Sequence, residues 1–160
     1  MIDSATFRRV LGHYPTGVCV ITAVDPENGP VALVVGTFTS VSLDPPLVGF
    51  LPVKGSYSWA QIERAGRFCV NVLGSDQKAL CGQLASKGAE KFDGVEYDMT
   101  GNGSPLLKDV IAWIDCDIDQ VVDAGDHYFV LGRVLEMDTG REQSPMLFFQ
   151  GKYGEFAPTN

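Results

Sequence analysis

The 160-residue sequence predicts a mainly β protein: an antiparallel barrel, closed or partly split, with a few covering helices. Three observations predict it. Candidate strands outnumber candidate helices by about two to one. Hairpin signals recur along the chain, the strongest at Asn28-Gly29. No strand–helix–strand rhythm of a parallel sheet is present.

The elements follow in order. Residues 3 to 12 have Phe7, Val10 and Leu11 at helical spacing behind Asp3 or Ser4 as cap. Val18 to Val24 is β-branched and predicts a strand. The Asp25–Gly29 turn follows, with Val31 to Phe38 as return strand. Asp44-Pro45-Pro46 interrupts before a short strand at Leu47 to Leu51. Ser58 and Gln61 fit a capping box for a short helix that Gly66 ends. Phe68 to Leu73 is a strand, and Ser75 to Ala85 an amphipathic helix. Residues 86 to 108 are Gly-rich and polar, hence loops with a short strand. From Ile114 to Val122 the alternation predicts a half-buried strand. Ile114, Cys116, Ile118 and Val122 share one face; Asp115, Asp117, Asp119 and Val121 share the other, solvated one. Asp123 to Asp126 turns into a partner strand, His127 to Met137. Met146 to Phe149 is the last strand.

The length fits a single domain over residues 1–160. A chain of this size buries roughly 70% of its unfolded surface, so it needs no disulfide or metal to fold. The net charge of −8 argues against nucleic acid and anionic membranes. It also means that a phosphate-bearing ligand must be held by local donors: backbone N–H groups, hydroxyls and one or two cations. Cys19, Cys69, Cys81 and Cys116 form no C-x-x-C pair, and three of them, Cys19, Cys69 and Cys116, lie inside apolar runs, as buried reduced thiols do. MIDSATFRRV has no apolar secretory core, and a cytoplasmic location is expected.

Three segments are candidates for chemistry. GTFTSVS (Gly36 to Ser42) offers hydroxyls around a glycine; its plainer reading is an exposed strand end. Lys54-Gly55-Ser56-Tyr57-Ser58 precedes a helix, where free N–H groups and the dipole favour an anion. Gly125-Asp126-His127 puts an imidazole at a hairpin turn, able to donate a hydrogen bond near neutral pH. Only one other histidine, His13, exists, which disfavours a multi-histidine metal site. No G-x-S-x-G elbow is present for a serine hydrolase.

FRRVLGHYPTGVCVITA, TFTSVSLDPPLV, RFCVNVL, EKFDGVEY, GDHYFVLGRV and GKYGEF occur in that order. Together they resemble the flavin reductase-like, FMN-binding split-barrel family, from Phe7 to Phe156. The family includes the reductase components of two-component flavin monooxygenases.

The resemblance implies a split β-barrel homodimer in which NADH or NADPH reduces FMN or FAD, with the reduced flavin passing to a partner monooxygenase. It places Val34, Val35, Gly36 and Thr37 along the flavin. Pro52, Val53 and Lys54 become backbone contacts, and Ser56 a phosphate contact. Lys91 and Phe92 form a basic–aromatic pair beside the flavin, and His127 and Tyr153 line the nicotinamide side, with His127 catalytic. Relatives often read G-x-T-A-[SN]-S-F where this chain has Val34 for Thr and Gly36 for Ser or Asn. A family-typical Phe is replaced by Leu84. Each lost neutral hydrogen bond weakens binding by about 0.5–1.5 kcal/mol. The alternative function is a flavin-binding carrier or sensor without turnover; a further one is a barrel that binds no flavin. Hydride transfer itself belongs to the cofactors and needs no protein nucleophile.

Overall fold

A computed structural model describes residues 1–88 and 90–160. Helix α1 (Ser4–Leu11) is followed by strands β1 (Thr16–Gly17), β2 (Cys19–Asp25), β3 (Gly29–Val35), β4 (Thr39–Ser42) and β5 (Leu47–Phe50). Then come α2 (Tyr57–Ala65), β6 (Arg67–Val72), α3 (Lys78–Ala85), β7 (Tyr97–Met99) and β8 (Pro105–Leu107). Two long strands, β9 (Ala112–Ala124) and β10 (His127–Thr139), and two short ones, β11 (Met146–Phe149) and β12 (Lys152–Glu155), complete the order.

Seven antiparallel strands form the main sheet in the order β3-β2-β6-β9-β10-β5-β4. Its two edges, β3 and β4, are consecutive in the chain and joined by residues 36–38. Four Cα steps reach at most about 15 Å, whereas a flat sheet of seven strands would set its edges roughly 29 Å apart. The sheet must therefore curl on itself, and it stays open between β3 and β4. Two smaller ribbons, β1-β11-β12 and β7-β8, lie outside it.

The enclosed core contains Ile21, Val48, Phe50, Phe68, Val70, Cys116 and Val130, and Trp59 and Ile62 of α2 cover it. Phe50 meets both Trp59 and Phe68 edge-on, at 5.9 and 5.1 Å between centroids. A second cluster fills the opposite face of β2, between Val20, Cys81 and Leu84 of α3, and Leu107. Six of the seven β2 residues are accordingly buried, as strands covered on both faces are. All four cysteines are free and buried.

Several boundaries and faces differ from expectation. The return strand ends at Val35, because Gly36 to Phe38 carry the chain across the barrel opening. Ser56, not Ser58, caps α2, its Oγ accepting from Trp59 N at 3.1 Å. Helix α3 starts at Lys78, and β12 is a strand beyond the one expected to be last. Alternation along β9 breaks at a bulge, where Gln120 pairs with Leu131 but Ile118 with Gly132. The skipped residue, Asp119, reverses the phase. Val121 therefore packs on the core, while Val122 is exposed. Asp115 is not solvated: it is 1% exposed, because the β7–β8 ribbon covers its face and Asn102 N donates to Oδ2 at 3.3 Å.

Candidate active site

Edge strand β3 lies between two helices, with α2 against one face and α3 against the other. A cleft of about 890 Å³ opens along that edge. Its floor is Pro30 to Val34 of β3. One wall is Val53 and Gly55 to Ser58 at the start of α2, and the other is Leu84 to Gly88 with Lys91 and Phe92. An edge strand leaves a row of backbone N–H and C=O groups unpaired, and here the row faces the cleft. The volume falls in the range of small-molecule and cofactor sites.

Lys87 and Lys91 line this cleft, and among the described residues no carboxylate does. In a chain of net charge −8 this is a local reversal of sign. Lys91 Nζ donates to Ala32 O at 3.3 Å and Ser58 Oγ at 3.4 Å, long contacts for a charged donor. Burial of the ammonium holds its pKa below the ordinary lysine value. An anion in the cleft would supply the opposite charge that Lys91 lacks among the described residues. Ser56, Tyr57, Ser58 and Ser86 add hydroxyls. The Phe92 ring stands against Tyr97, 5.7 Å between centroids.

The segment leading into α2 is fastened to the turn of the long hairpin. Tyr128 N donates to Pro52 O at 3.0 Å, and Lys54 N to Asp126 O at 2.9 Å. Between them Val53 and His127 form a bridge. His127 therefore stands beside the Val53 end of the cleft, its Nδ1 2.7 Å from Asp126 Oδ1. This contact, first among its neighbours, holds the Asp126 carboxyl below its ordinary pKa.

Of the residues singled out in the sequence, Val34, Val53, Ser56, Lys91 and Phe92 line the cleft together. Val35 points into the core. Gly36 and Thr37 lie past the end of β3, where Thr37 Oγ1 accepts from Leu51 N at 3.0 Å. Pro52 is buried. Lys54 turns out of the cleft: its Nζ pairs with Asp123 at 2.8 Å and sits over the Tyr128 ring. That hydrogen bond to Asp123 raises the Lys54 pKa. Tyr153 stands apart on β12, against Phe148 and the Cys81 thiol, in a second cavity of about 590 Å³ lined also by Pro15, Leu147 and Phe149. Asn28, Ser58 and Lys87 are cleft residues that sequence reasoning did not single out as ligands. In the sequence Asn28 has the signature of a turn residue and Ser58 that of a cap; Lys87 sits in a polar stretch with no motif of its own.

The chain is similar to known proteins. A family model described as the flavin reductase like domain matches residues 11–157. A flavin reductase of Pseudomonas putida is 54% identical over 156 residues, 98% of this chain and 92% of the relative. The reductase subunit HsaB of a flavin-dependent monooxygenase from Rhodococcus jostii is 44% identical, covering 98% of this chain and 80% of the relative. Among solved structures, the NADH:FAD oxidoreductase SgcE6 of Streptomyces globisporus, in complex with NAD and FAD fragments, superposes with a TM-score of 0.91 at 32% identity. That match covers 98% of this chain and 94% of the other.

Proposed function

This chain belongs to the flavin reductase-like domain family, and from that premise we propose that it is an NAD(P)H-dependent flavin reductase supplying reduced flavin to a partner monooxygenase. The observation that carries the reading is the cleft along β3: two lysines, several hydroxyls and no carboxylate among its described lining residues, in an acidic protein. Such a site suits a polar, phosphate-bearing ring compound.

Flavin and nicotinamide, when bound, would supply the hydride-transfer chemistry. The chain's own residues bind and orient. The free edge of β3, at Ala32 to Val34, offers backbone donors and acceptors to the polar edge of a ring. Lys91, with Ser58 beside it, takes the phosphate, and Ser56 shapes the same helix start. Phe92 supplies apolar area. His127, beside Val53, donates a hydrogen bond on the nicotinamide side and is turned by Asp126. Its role is to stabilise charge and set approach, because positioning accounts for most of what such a site must do.

A homodimer completes the proposal. Helix α1 buries none of its residues and exposes Phe7, Val10 and Leu11. Phe148, Phe149, Tyr153 and Phe156 are exposed as well. An isologous partner would cover such surface. No helix among the described residues is long and apolar enough to cross a membrane, and four buried free thiols fit a reducing compartment, the cytoplasm.

The test is anaerobic mixing of the protein with NADH or NADPH and FMN or FAD, following the oxidised-flavin absorbance. Catalytic bleaching supports the reductase. Flavin binding without bleaching would instead leave a carrier.

A further inference from the structure

We propose that Gln83 is a positioning residue for the anion end of the cleft, setting the place of Lys91 through the backbone of the loop that bears it. The proposal rests on the reading of Lys91 as the phosphate partner.

Residues 90–96 form neither helix nor strand. Two turn hydrogen bonds shape them: Asp93 N to Glu90 O at 3.1 Å and Val95 N to Phe92 O at 3.0 Å. Lys108 N donates to Glu96 O at 3.2 Å at the far end of the loop, and at the Lys91 end the tie to the scaffold is the amide of Gln83, in the last turn of α3. Its Nε2 donates to Lys91 O at 2.9 Å and to Asp93 O at 2.8 Å. A primary amide nitrogen carries two hydrogens, so a single group satisfies both carbonyls. The helix end beneath it is itself closed, since Ser86 donates to Gln83 O through N and Oγ, at 3.3 and 2.6 Å.

Lys91 has no carboxylate within ion-pair distance among the described residues. Its two contacts, Ala32 O and Ser58 Oγ, are long and uncharged. A four-carbon stem without a strong anchor at its tip is placed mainly by its backbone. Gln83 holds that backbone at Lys91 and on the far side of Phe92. Leu84, the next residue of α3, lines the cleft, so helix, loop and cation are held in one frame. Removing the amide donors leaves two carbonyls unpaired and lets the loop drift from β3.

The test compares FMN with riboflavin, which lacks the phosphate. In the full-length protein, Gln83→Leu and Gln83→Glu should each weaken FMN by about 5- to 10-fold while changing riboflavin by less than about twofold. The Glu variant keeps the size but has no donor for either carbonyl. Combined with Lys91→Met, the Gln83→Leu change should add less than about twofold, because both act through one group. Equal loss for both flavins, or full additivity with Lys91→Met, overturns the proposal as a merely structural effect. An inert Gln83→Leu beside a Lys91→Met that discriminates the flavins overturns the proposal alone. A Lys91→Met that does not discriminate overturns the reading of Lys91, and Gln83's role with it.

Discussion

Arg64, in the last turn of α2, grips Asp25 at the end of β2 through two hydrogen bonds: Nη2 to Oδ2 at 2.6 Å and Nε to Oδ1 at 3.1 Å. The Asp25 side chain has no solvent exposure. Asn28 donates to the same carboxylate at 2.7 Å, which places Asn28 at the cleft. The helix and the β2–β3 turn are thereby latched together.

This latch should make stability depend on acid. The Arg64 guanidinium holds the Asp25 carboxyl at about 2. A depressed carboxylate pKa stabilises the fold above the unfolded value of about 4, and that contribution is lost as pH falls toward about 2. Arg64→Met should lower Tm at neutral pH, and its deficit should shrink as pH falls through that window. A deficit of the same size at about pH 7 and about pH 3 would show that Arg64 acts through packing instead.

Asp115 should behave in the opposite sense. Burial, the largest cause, raises its pKa, and Oδ1 has no hydrogen-bond partner among the described residues. A raised carboxylate pKa favours the fold in acid and penalises it above the folded value. Asp115→Asn removes the buried charge. It should raise Tm by about 2–4 °C at neutral pH, the shift that roughly 1 kcal/mol makes in a chain of this size. The gain should vanish near pH 3. Thermal melts showing a loss at neutral pH would sink the idea.

Gly36→Ser is the natural way to restore a family-typical hydroxyl, yet its Cβ would meet Thr16 Oγ1 at 2.9 Å. We expect unchanged or weaker flavin binding in Gly36→Ser. A gain of about 2- to 10-fold, that of one neutral hydrogen bond, should follow only when Thr16→Ala makes room. Titration of both variants with FMN checks this; a gain in Gly36→Ser alone would show that Thr16 yields freely.

Lys54 is committed to Asp123 of the β9–β10 hairpin. Lys54→Ala should therefore change FMN and riboflavin affinity alike, by on the order of twofold or less. Selective loss of FMN would return Lys54 to the phosphate.

His127→Ala should leave the fold and most flavin affinity intact, since its bridge to Val53 is made by backbone. It should slow flavin reduction by NADH about 5- to 150-fold, as the loss of one polar contact in the transition state does. Dithionite reduction should be unaffected. Stopped-flow reduction at the wild-type rate would make His127 a simple turn residue.

Local periodicity and turn chemistry were enough to read the mainly β class, the Asn28-Gly29 hairpin, the β9–β10 pair and the burial of all four cysteines. These depend on neighbours two to five residues away, so a linear sequence contains them. The family resemblance likewise points to Val34, Val53, Ser56, Lys91 and Phe92, which the fold gathers in one cleft. Tertiary structure decided the rest. A period of two assumes unbroken register, and the bulge at Asp119 breaks it. Asp115 follows the alternation but is buried because a ribbon 13 residues earlier in sequence, at Asn102, covers it. Lys54 points away from the cleft because Asp123 approaches from a different hairpin, and Tyr153 faces α3. A side chain's partner is chosen by which elements pack beside it, and that choice is made only when the sheet closes.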